Sequence, residues 1–179
     1  MFKDSSEVLK FIKETDVKFL DIRFTDLPGV QQHFNIPAST VDEEFFTVGQ
    51  LFDGSSIRGF ADIHESDLQL IPDVTTAYVD EFRTERTLIM VFDIYNPRNG
   101  EIYHRDPRQV AKKAEKYLAS TGIADTAFFA PEAEFFIFDD VRYEYKQNGS
   151  MHFIDSDEAA WNSGREEAGG NLANKTPYK

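Results

Sequence analysis

Two glutamates interrupt an aromatic run in the second half of the chain. Residues 129–140 read FAPEAEFFIFDD, with Glu132 and Glu134 placed among phenylalanines and alanines. In an extended strand, residues two positions apart share a face, so these two carboxylates would lie about 6.6 Å apart on the same side. The other positions on both faces are mostly apolar, which predicts a strand that is buried on both sides.

Burial of two neighbouring carboxylates requires compensation. An unpaired ionised carboxylate is very unfavourable inside a protein, and two of them also repel each other. Divalent cations such as Mg²⁺ and Mn²⁺ supply positive charge and prefer oxygen ligands. Two interpretations therefore stay open from the residues alone. Glu132 and Glu134 form a metal site, or they lie on a strand edge whose polar side faces water.

Charge and composition narrow the classes of function. The formal net charge of the 179 residues is -13, which disfavours nucleic-acid binding because the phosphate backbone attracts Lys and Arg. The absence of cysteine excludes disulfides and thiolate metal sites. The N-terminus lacks the apolar core of a signal peptide, and no apolar stretch is long enough for a spanning helix. We therefore expect a cytoplasmic protein that binds neither nucleic acid nor membrane.

Residues 1–103 predict one small α+β domain. An amphipathic helix is expected to begin at Asp4 or Ser5 and to end near Thr15. Two segments with alternating apolar residues, 17–24 and 30–36, flank a Pro-Gly turn and predict a β-hairpin.

Three further features complete this first domain. Thr40 and Glu43 have capping-box spacing for a short helix that Gly49 ends. The segment LFDGSSIRGF is a loop interrupted by glycines. Further strands are expected at 68–71, 77–82 and 88–95, the last of them an apolar run typical of a buried strand.

A second α+β domain is expected over residues 104–179. Asp106 and Pro107 are typical of a helix start, and this helix should continue to Gly122. One of its faces carries apolar residues, namely Val110, Ala111, Ala114 and Leu118. The FAPEAEFFIFDD strand and two alternating segments, VRYEY and SMHFID, should follow as antiparallel strands, with a polar loop over residues 157–179.

Other motifs are less specific. The segment Asp53-Gly54-Ser55-Ser56 by itself predicts a tight turn in which Asp and Ser bind nearby backbone amides. The histidines show no metal-ligand spacing, and neither glycine-rich nucleotide-binding motif is present.

Four stretches together closely resemble the bacterial type I glutamine synthetases. They occur in the order and with the approximate spacing of that family, and they cover most of residues 17–140. In this sequence they read RFTDLPGVQQHFNIP, LFDGSSIRGF, HESDLQLIPD and APEAEFFIFD. The resemblance implies an N-terminal β-grasp domain followed by the beginning of the catalytic α+β domain.

The resemblance also implies roles for individual residues. Glu132 and Glu134 correspond to the first two metal-liganding glutamates, within a site that holds two or three Mg²⁺ or Mn²⁺ ions. Asp53 corresponds to the ammonium-binding aspartate, and Ser56 is a weaker assignment beside it. Ala133 replaces the proline of many relatives, which should be harmless because its side chain points away from the metals.

The implied reaction is the ATP-dependent ligation of ammonia to L-glutamate through γ-glutamyl phosphate. Its implied setting is a homododecamer with active sites between adjacent subunits, in which the Asp53 loop serves the neighbouring subunit. Further metal ligands and most nucleotide contacts are expected beyond Lys179. We therefore expect these residues to be part of a longer chain and to be inactive alone.

Two other functions are compatible with the same motifs. A related ligase would join glutamate to an organic amine, although such a site has less need of the small anionic pocket around Asp53. A non-catalytic assembly module would keep the fold and lose the metal chemistry.

Overall fold

The computed structural model describes residues 2–62 and 66–156, and the chain divides into two compact units. The first unit is Met1–Ala127 and the second is Phe128–Lys179. The loop expected over residues 157–179 lies outside the described residues. Within the described ranges, the structure has no helix that is both long and apolar enough to cross a membrane.

A five-stranded mixed sheet forms the centre of the first unit. Its strands are β1 (Phe19–Thr25), β2 (Gln31–Pro37), β3 (Gln50–Asp53), β4 (Asp67–Val79) and β5 (Thr87–Tyr95). Their order across the sheet is β2-β1-β5-β4-β3, with β1 and β5 parallel and the other pairs antiparallel. The first strand in the chain, β1, therefore lies beside the fifth strand, β5, which is the central strand of the sheet.

The alternation in the sequence decides which face of the sheet is covered. Leu20, Ile22 and Phe24 of β1 are buried on one face, as the period-two pattern predicts. Helix α1 (Ser5–Glu14) contributes the fully buried Val8 to the same core. The Asp4 carboxylate caps this helix by accepting a hydrogen bond from the Glu7 amide at 2.9 Å, and the helix ends at Thr15. The predicted helix and the β1–β2 hairpin are therefore confirmed.

Two local predictions in the first unit are corrected. The strands expected at 68–71 and 77–82 form one strand, β4, whose register shifts between Asp73 and Tyr78. The capping box at Thr40 is wrong, since the extended backbone of Val41 separates Thr40 from the helix α2 (Phe45–Val48). The Asp42 carboxylate instead accepts a hydrogen bond from the Phe45 amide at 2.9 Å.

Helix α3 (Pro107–Ser120) begins at Pro107 and is capped by Asp106, as predicted. Arg108 and Lys112 from its first turns form ion pairs with Asp93 of β5 and Asp73 of β4. The predicted apolar face of α3 is mostly exposed. The helix lies in the first compact unit, and the expected domain boundary after residue 103 stays a prediction.

The second unit contains a β-hairpin and a non-strand segment. Strands β6 (Asp140–Lys146) and β7 (Gly149–Asp155) pair antiparallel, which confirms the two alternating segments. The strand expected over residues 129–140 is wrong, because residues 126–138 adopt neither helix nor strand and only Asp140 joins β6. A strand needs a neighbour for its backbone hydrogen bonds, and the sheets of the described residues include none for this segment.

The prediction that this segment is buried on both sides is also wrong for the described chain. Glu132 and Glu134 are exposed, and Phe135 beside them is 78% exposed. Water solvates exposed carboxylates, so in this conformation their charges need no compensation by a cation. The electrostatic reason for a metal site therefore does not arise from the described structure, and the metal assignment depends on resemblance.

Replacing Asp106 with Ala is expected to lower the free energy of unfolding by about 1–3 kcal/mol. The Asp106 carboxylate is buried and accepts hydrogen bonds from the Ile94 amide and the Arg108 amide, both at 2.9 Å. Removing it leaves a buried donor of β5 without this acceptor. Urea denaturation followed by circular dichroism measures the loss, and a change below about 0.5 kcal/mol would contradict this role.

The same carboxylate should make stability depend on pH. Burial raises the pKa of Asp106, and the nearby Asp93 charge raises it further. Because the folded-state pKa is the higher one, this stability is complete below the unfolded-state pKa and is lost as the pH rises through the folded-state pKa. The Asp106→Asn variant does not titrate there and serves as the control. If the difference in the free energy of unfolding between the unsubstituted protein and Asp106→Asn stays constant with pH, the expectation is refuted.

Candidate functional site

Asp53 lies where the edge strand β3 ends. It pairs with Asp67 in the last register position between β3 and β4, and a 3-10 turn of residues Gly54–Ser56 follows directly. The Asp53 side chain is exposed and caps this turn. The end of the strand therefore presents one carboxylate to solvent at a position fixed by the sheet.

Hydrogen bonds from Ser55 favour the ionised form of the Asp53 carboxylate. One Asp53 oxygen, Oδ1, accepts hydrogen bonds from the Ser55 hydroxyl at 2.6 Å and from the Ser55 amide at 2.9 Å. The Ser55 hydroxyl is the largest cause that lowers the pKa of Asp53, and the Ser55 amide and the Ser66 side chain lower it further. A carboxylate held as an anion at neutral pH is suited to bind a small cation.

Gly54, the residue after Asp53, is packed so closely that little space is left for a side chain. The Gly54 amide donates a hydrogen bond to the Ser66 carbonyl at 2.7 Å. A Cβ atom at Gly54 would lie 2.5 Å from Leu68 Cδ1 and 3.1 Å from the Ser66 oxygen. Close packing against β4 therefore accounts for the glycine in the DGSS motif.

Ser56, which was predicted to contribute to the ammonium site beside Asp53, lies at a different position of the turn from Ser55. Ser56 is exposed at the end of the 3-10 turn, and the serine hydroxyl that binds Asp53 is that of Ser55. The sequence analysis did not select Ser55 as a site residue. The Asp-x-Ser spacing, which is typical of turns closed by an Asp side chain, is the signal that identifies it.

The far end of the same loop is bound by two residues that sequence reasoning missed. Phe60 is buried, and its carbonyl accepts hydrogen bonds from the Tyr103 hydroxyl and from Arg105 Nη1, the latter at 2.7 Å. Arg105 Nη1 also donates to the Gly59 carbonyl at 2.9 Å. These contacts join residues more than 40 positions apart, which sequence spacing alone does not reveal.

Glu132 and Glu134 belong to the second unit, whereas Asp53 belongs to the first. Both glutamates are exposed in the irregular segment 126–138. Two accessible carboxylates two residues apart are hard oxygen donors of the kind that Mg²⁺ and Mn²⁺ bind. Over residues 2–62 and 66–156, no group of three or more His, Cys, Asp or Glu side chains is placed to hold a metal.

Family comparison matches most of the chain to two consecutive domains. Residues 16–97 match the glutamine synthetase β-grasp domain, and residues 104–177 match the glutamine synthetase catalytic domain. The five-stranded sheet and the DGSS loop lie within the first match. Helix α3 and the two glutamates lie within the second.

Individual relatives agree with these matches. The chain is 59% identical to a glutamine synthetase of Frankia alni and 57% identical to one of Streptomyces coelicolor, each over the whole chain. It spans 38% and 37% of the lengths of these relatives. A Plasmodium falciparum glutamine synthetase structure aligns over 88% of this chain and 30% of its own, with a TM-score of 0.69 and 26% identity. The chain, a β-grasp domain followed by the start of a catalytic domain, belongs to the glutamine synthetase family.

Proposed function

We propose that this chain is part of a longer polypeptide that ligates ammonia to L-glutamate at the expense of ATP, giving L-glutamine. The supporting observation is the high identity, over the whole chain, to proteins named glutamine synthetase. Since the chain spans little more than a third of their length, the activity is assigned to the longer polypeptide. The residues of this chain proposed to take part are the ammonium-binding Asp53 and Ser56 and the metal-binding Glu132 and Glu134.

Asp53 is proposed to bind the ammonium ion. Asp53 is anionic at neutral pH, where ammonium is cationic, and the hydrogen bonds from Ser55 lower its pKa further below the ordinary value. In the proposed step, the nitrogen forms a bond to the activated carbonyl carbon of γ-glutamyl phosphate and the bond to the phosphate oxygen breaks. Before this attack, ammonium gives one proton to the Asp53 carboxylate and becomes ammonia. A second proton passes from the attacking nitrogen to the departing phosphate, which leaves as hydrogen phosphate. Ser56, at the end of the same turn, is proposed as a secondary ammonium contact.

Glu132 and Glu134 are proposed to hold divalent cations. Their carboxylate oxygens fit Mg²⁺ or Mn²⁺, but an octahedral ion needs about six ligands, so other groups must complete each site. When bound, two or three such ions supply charge stabilisation for transfer of the γ-phosphoryl group of ATP. The contribution of this chain is two anionic oxygen donors placed two residues apart.

The proposed protein acts in the cytoplasm as a homo-oligomer, with a dodecamer as the expected form. The exposed position of the Asp53 loop at a sheet edge suits a role in the active site of an adjacent subunit. Such sharing would make activity depend on assembly.

The decisive experiment joins this chain to the part of the Frankia alni relative that lies beyond the matched 38% of its length, giving an extended protein. The extended protein should form glutamine from glutamate, ammonium and ATP in the presence of Mg²⁺ or Mn²⁺, measured by chromatography of the products. The chain of 179 residues alone should form none, because ligands for metal and nucleotide are incomplete. The intact Frankia alni relative is the positive control.

Substitution of the glutamates distinguishes this function from a non-catalytic module. Glu132→Gln and Glu134→Gln should each weaken Mn²⁺ binding to the extended protein, measured by calorimetry, and reduce glutamine formation by at least about 100-fold. Glu115→Gln, at an exposed position of α3, should change neither. Metal uptake that is insensitive to both glutamates, with no glutamine formed, would favour the non-catalytic module.

Asp53→Ala should raise the KM for ammonium of the extended protein by about tenfold or more, because a charge-assisted contact is lost. Asp67→Ala removes the same charge from the neighbouring exposed position on β4 and is the matched control. If ammonium responded only to the overall negative charge, Asp53→Ala and Asp67→Ala would raise the KM for ammonium equally. Unaltered ammonium kinetics in Asp53→Ala, or a preference for an organic amine in the unsubstituted protein, would refute ammonium as the nitrogen donor.

Ser55→Ala should raise the pKa of Asp53 towards its ordinary value, because the hydroxyl donor at 2.6 Å is lost. Ammonium binding requires the anion, so the acid limb of the pH profile of 1/KM for ammonium should move to higher pH. Ser56→Ala should leave this limb in place even where it changes KM. Identical acid limbs in Ser55→Ala and the unsubstituted extended protein would show that the Ser55 hydroxyl does not control the charge of Asp53.

A further inference from the structure

The loop that carries Asp53 is held at both of its ends. At its start, the Gly54 amide binds the Ser66 carbonyl of the segment that precedes β4. At its end, the Phe60 ring is only 2% exposed, and its backbone carbonyl is bound by Tyr103 and Arg105. Between these ends the loop makes short-range turns, with the Ile57 amide donating to the Gly54 carbonyl at 3.2 Å. The position of the loop therefore depends on its two anchors.

The second anchor is itself rigidly placed. The Tyr103 amide donates a hydrogen bond to the Ile94 carbonyl of β5 at 2.8 Å. The Tyr103 ring is 8% exposed and meets the Phe60 ring edge-on, with 5.4 Å between centroids. Both the ring contact and the hydroxyl therefore fix the end of the loop against a central strand.

Arg105 adds a charged donor to the same anchor. Its Nη1 atom donates to the carbonyls of Gly59 and Phe60 at 2.9 and 2.7 Å, and hydrogen bonds from a charged donor are the stronger kind. Gly59 has a φ of +82°, a left-handed conformation that glycine adopts readily. Without Arg105, the chain is freer to rotate at this glycine, and the loop loses part of its fixed shape.

We propose that Tyr103 and Arg105 are positioning residues that hold the Asp53 loop in the shape that binds ammonium, an inference that rests on the proposed function. Among the described residues, the Asp53 side chain is hydrogen-bonded to Ser55 and Ser66, and neither Tyr103 nor Arg105 binds it directly. Their effect passes through the backbone of residues 54–60. Because binding and reaction depend on placement to within about 1 Å, loosening the loop should weaken ammonium binding specifically.

The test uses the extended protein and steady-state kinetics for each substrate. Arg105→Met, which keeps the aliphatic length, should raise the KM for ammonium by about tenfold and leave the KM values for ATP and glutamate unchanged. Tyr103→Phe should have a smaller effect, since the Phe60 carbonyl keeps its bond to Arg105. Arg105→Lys should recover part of the loss. Arg86→Met removes an arginine whose guanidinium lies over the Phe11 ring, away from this loop, and is the matched control.

A double-mutant cycle decides whether the effect acts through Asp53. In the Asp53→Ala background, Arg105→Met should no longer change the KM for ammonium. Hydrogen exchange of the amides in residues 54–60 should be faster in Arg105→Met and unchanged in Arg86→Met. An equal effect of Arg105→Met with and without Asp53, or a parallel rise in all three KM values, would overturn the positioning role.

The outcomes separate this inference from the proposed function. If the unsubstituted extended protein forms no glutamine while the Frankia alni relative does, the proposed function fails and this inference fails with it. If it forms glutamine and Arg105→Met leaves both the KM for ammonium and the hydrogen exchange unchanged, only the positioning role fails. Should Arg105→Met not fold, Arg105→Lys combined with Tyr103→Phe provides the same comparison, with the same decisive readouts.

Discussion

The buried carboxylate of Asp106 is the interaction on which the arrangement of the first unit depends. It binds the Ile94 amide of β5 with one oxygen and the Arg108 amide of α3 with the other. The last strand of the sheet and the first turn of α3 therefore share one acceptor. Tyr103 and Arg105 lie in the short connection between them, so the carboxylate that starts the helix also fixes the two residues that bind the Asp53 loop.

The buried carboxylates of Asp21 and Asp93 are compensated by basic side chains within the protein. Asp21 has no exposed surface and lies 2.9 Å from Arg23 Nε and 2.9 Å from His33 Nδ1. Asp93 is paired with Arg108 and Lys112. Glu132 and Glu134 differ from these buried carboxylates because they are exposed. Water solvates their charges, so they need no cationic partner in this conformation. The proposal that they bind cations therefore requires further ligands beyond the described residues.

The sequence predicts those features that local physics controls. The β1–β2 hairpin and the cap at Asp4 follow from alternation and from side-chain capping, which involve only neighbouring residues. The prediction of a strand over residues 129–140 is wrong because a strand also requires a neighbouring strand to pair with. The alternation of apolar and polar residues does not show whether such a neighbour is present. Asp53 could be selected by resemblance, but the Arg105 anchor could not, because its contacts to Gly59 and Phe60 cross 45 or more positions.

The proposed ammonium site at Asp53 and the proposed metal site at Glu132 and Glu134 differ in how many of their contacts lie within the described residues. The Asp53 carboxylate accepts a hydrogen bond from Ser55, and the next residue is bound to the segment before β4, so the contacts that position this carboxylate lie within the first unit. Glu132 and Glu134 offer two donors to ions that need about six ligands, and the described residues hold no third carboxylate or histidine in a cluster with them. In the proposed function, ammonium recognition therefore depends on contacts within the first unit. In the proposed function, metal binding instead depends on additional ligands from outside the described residues.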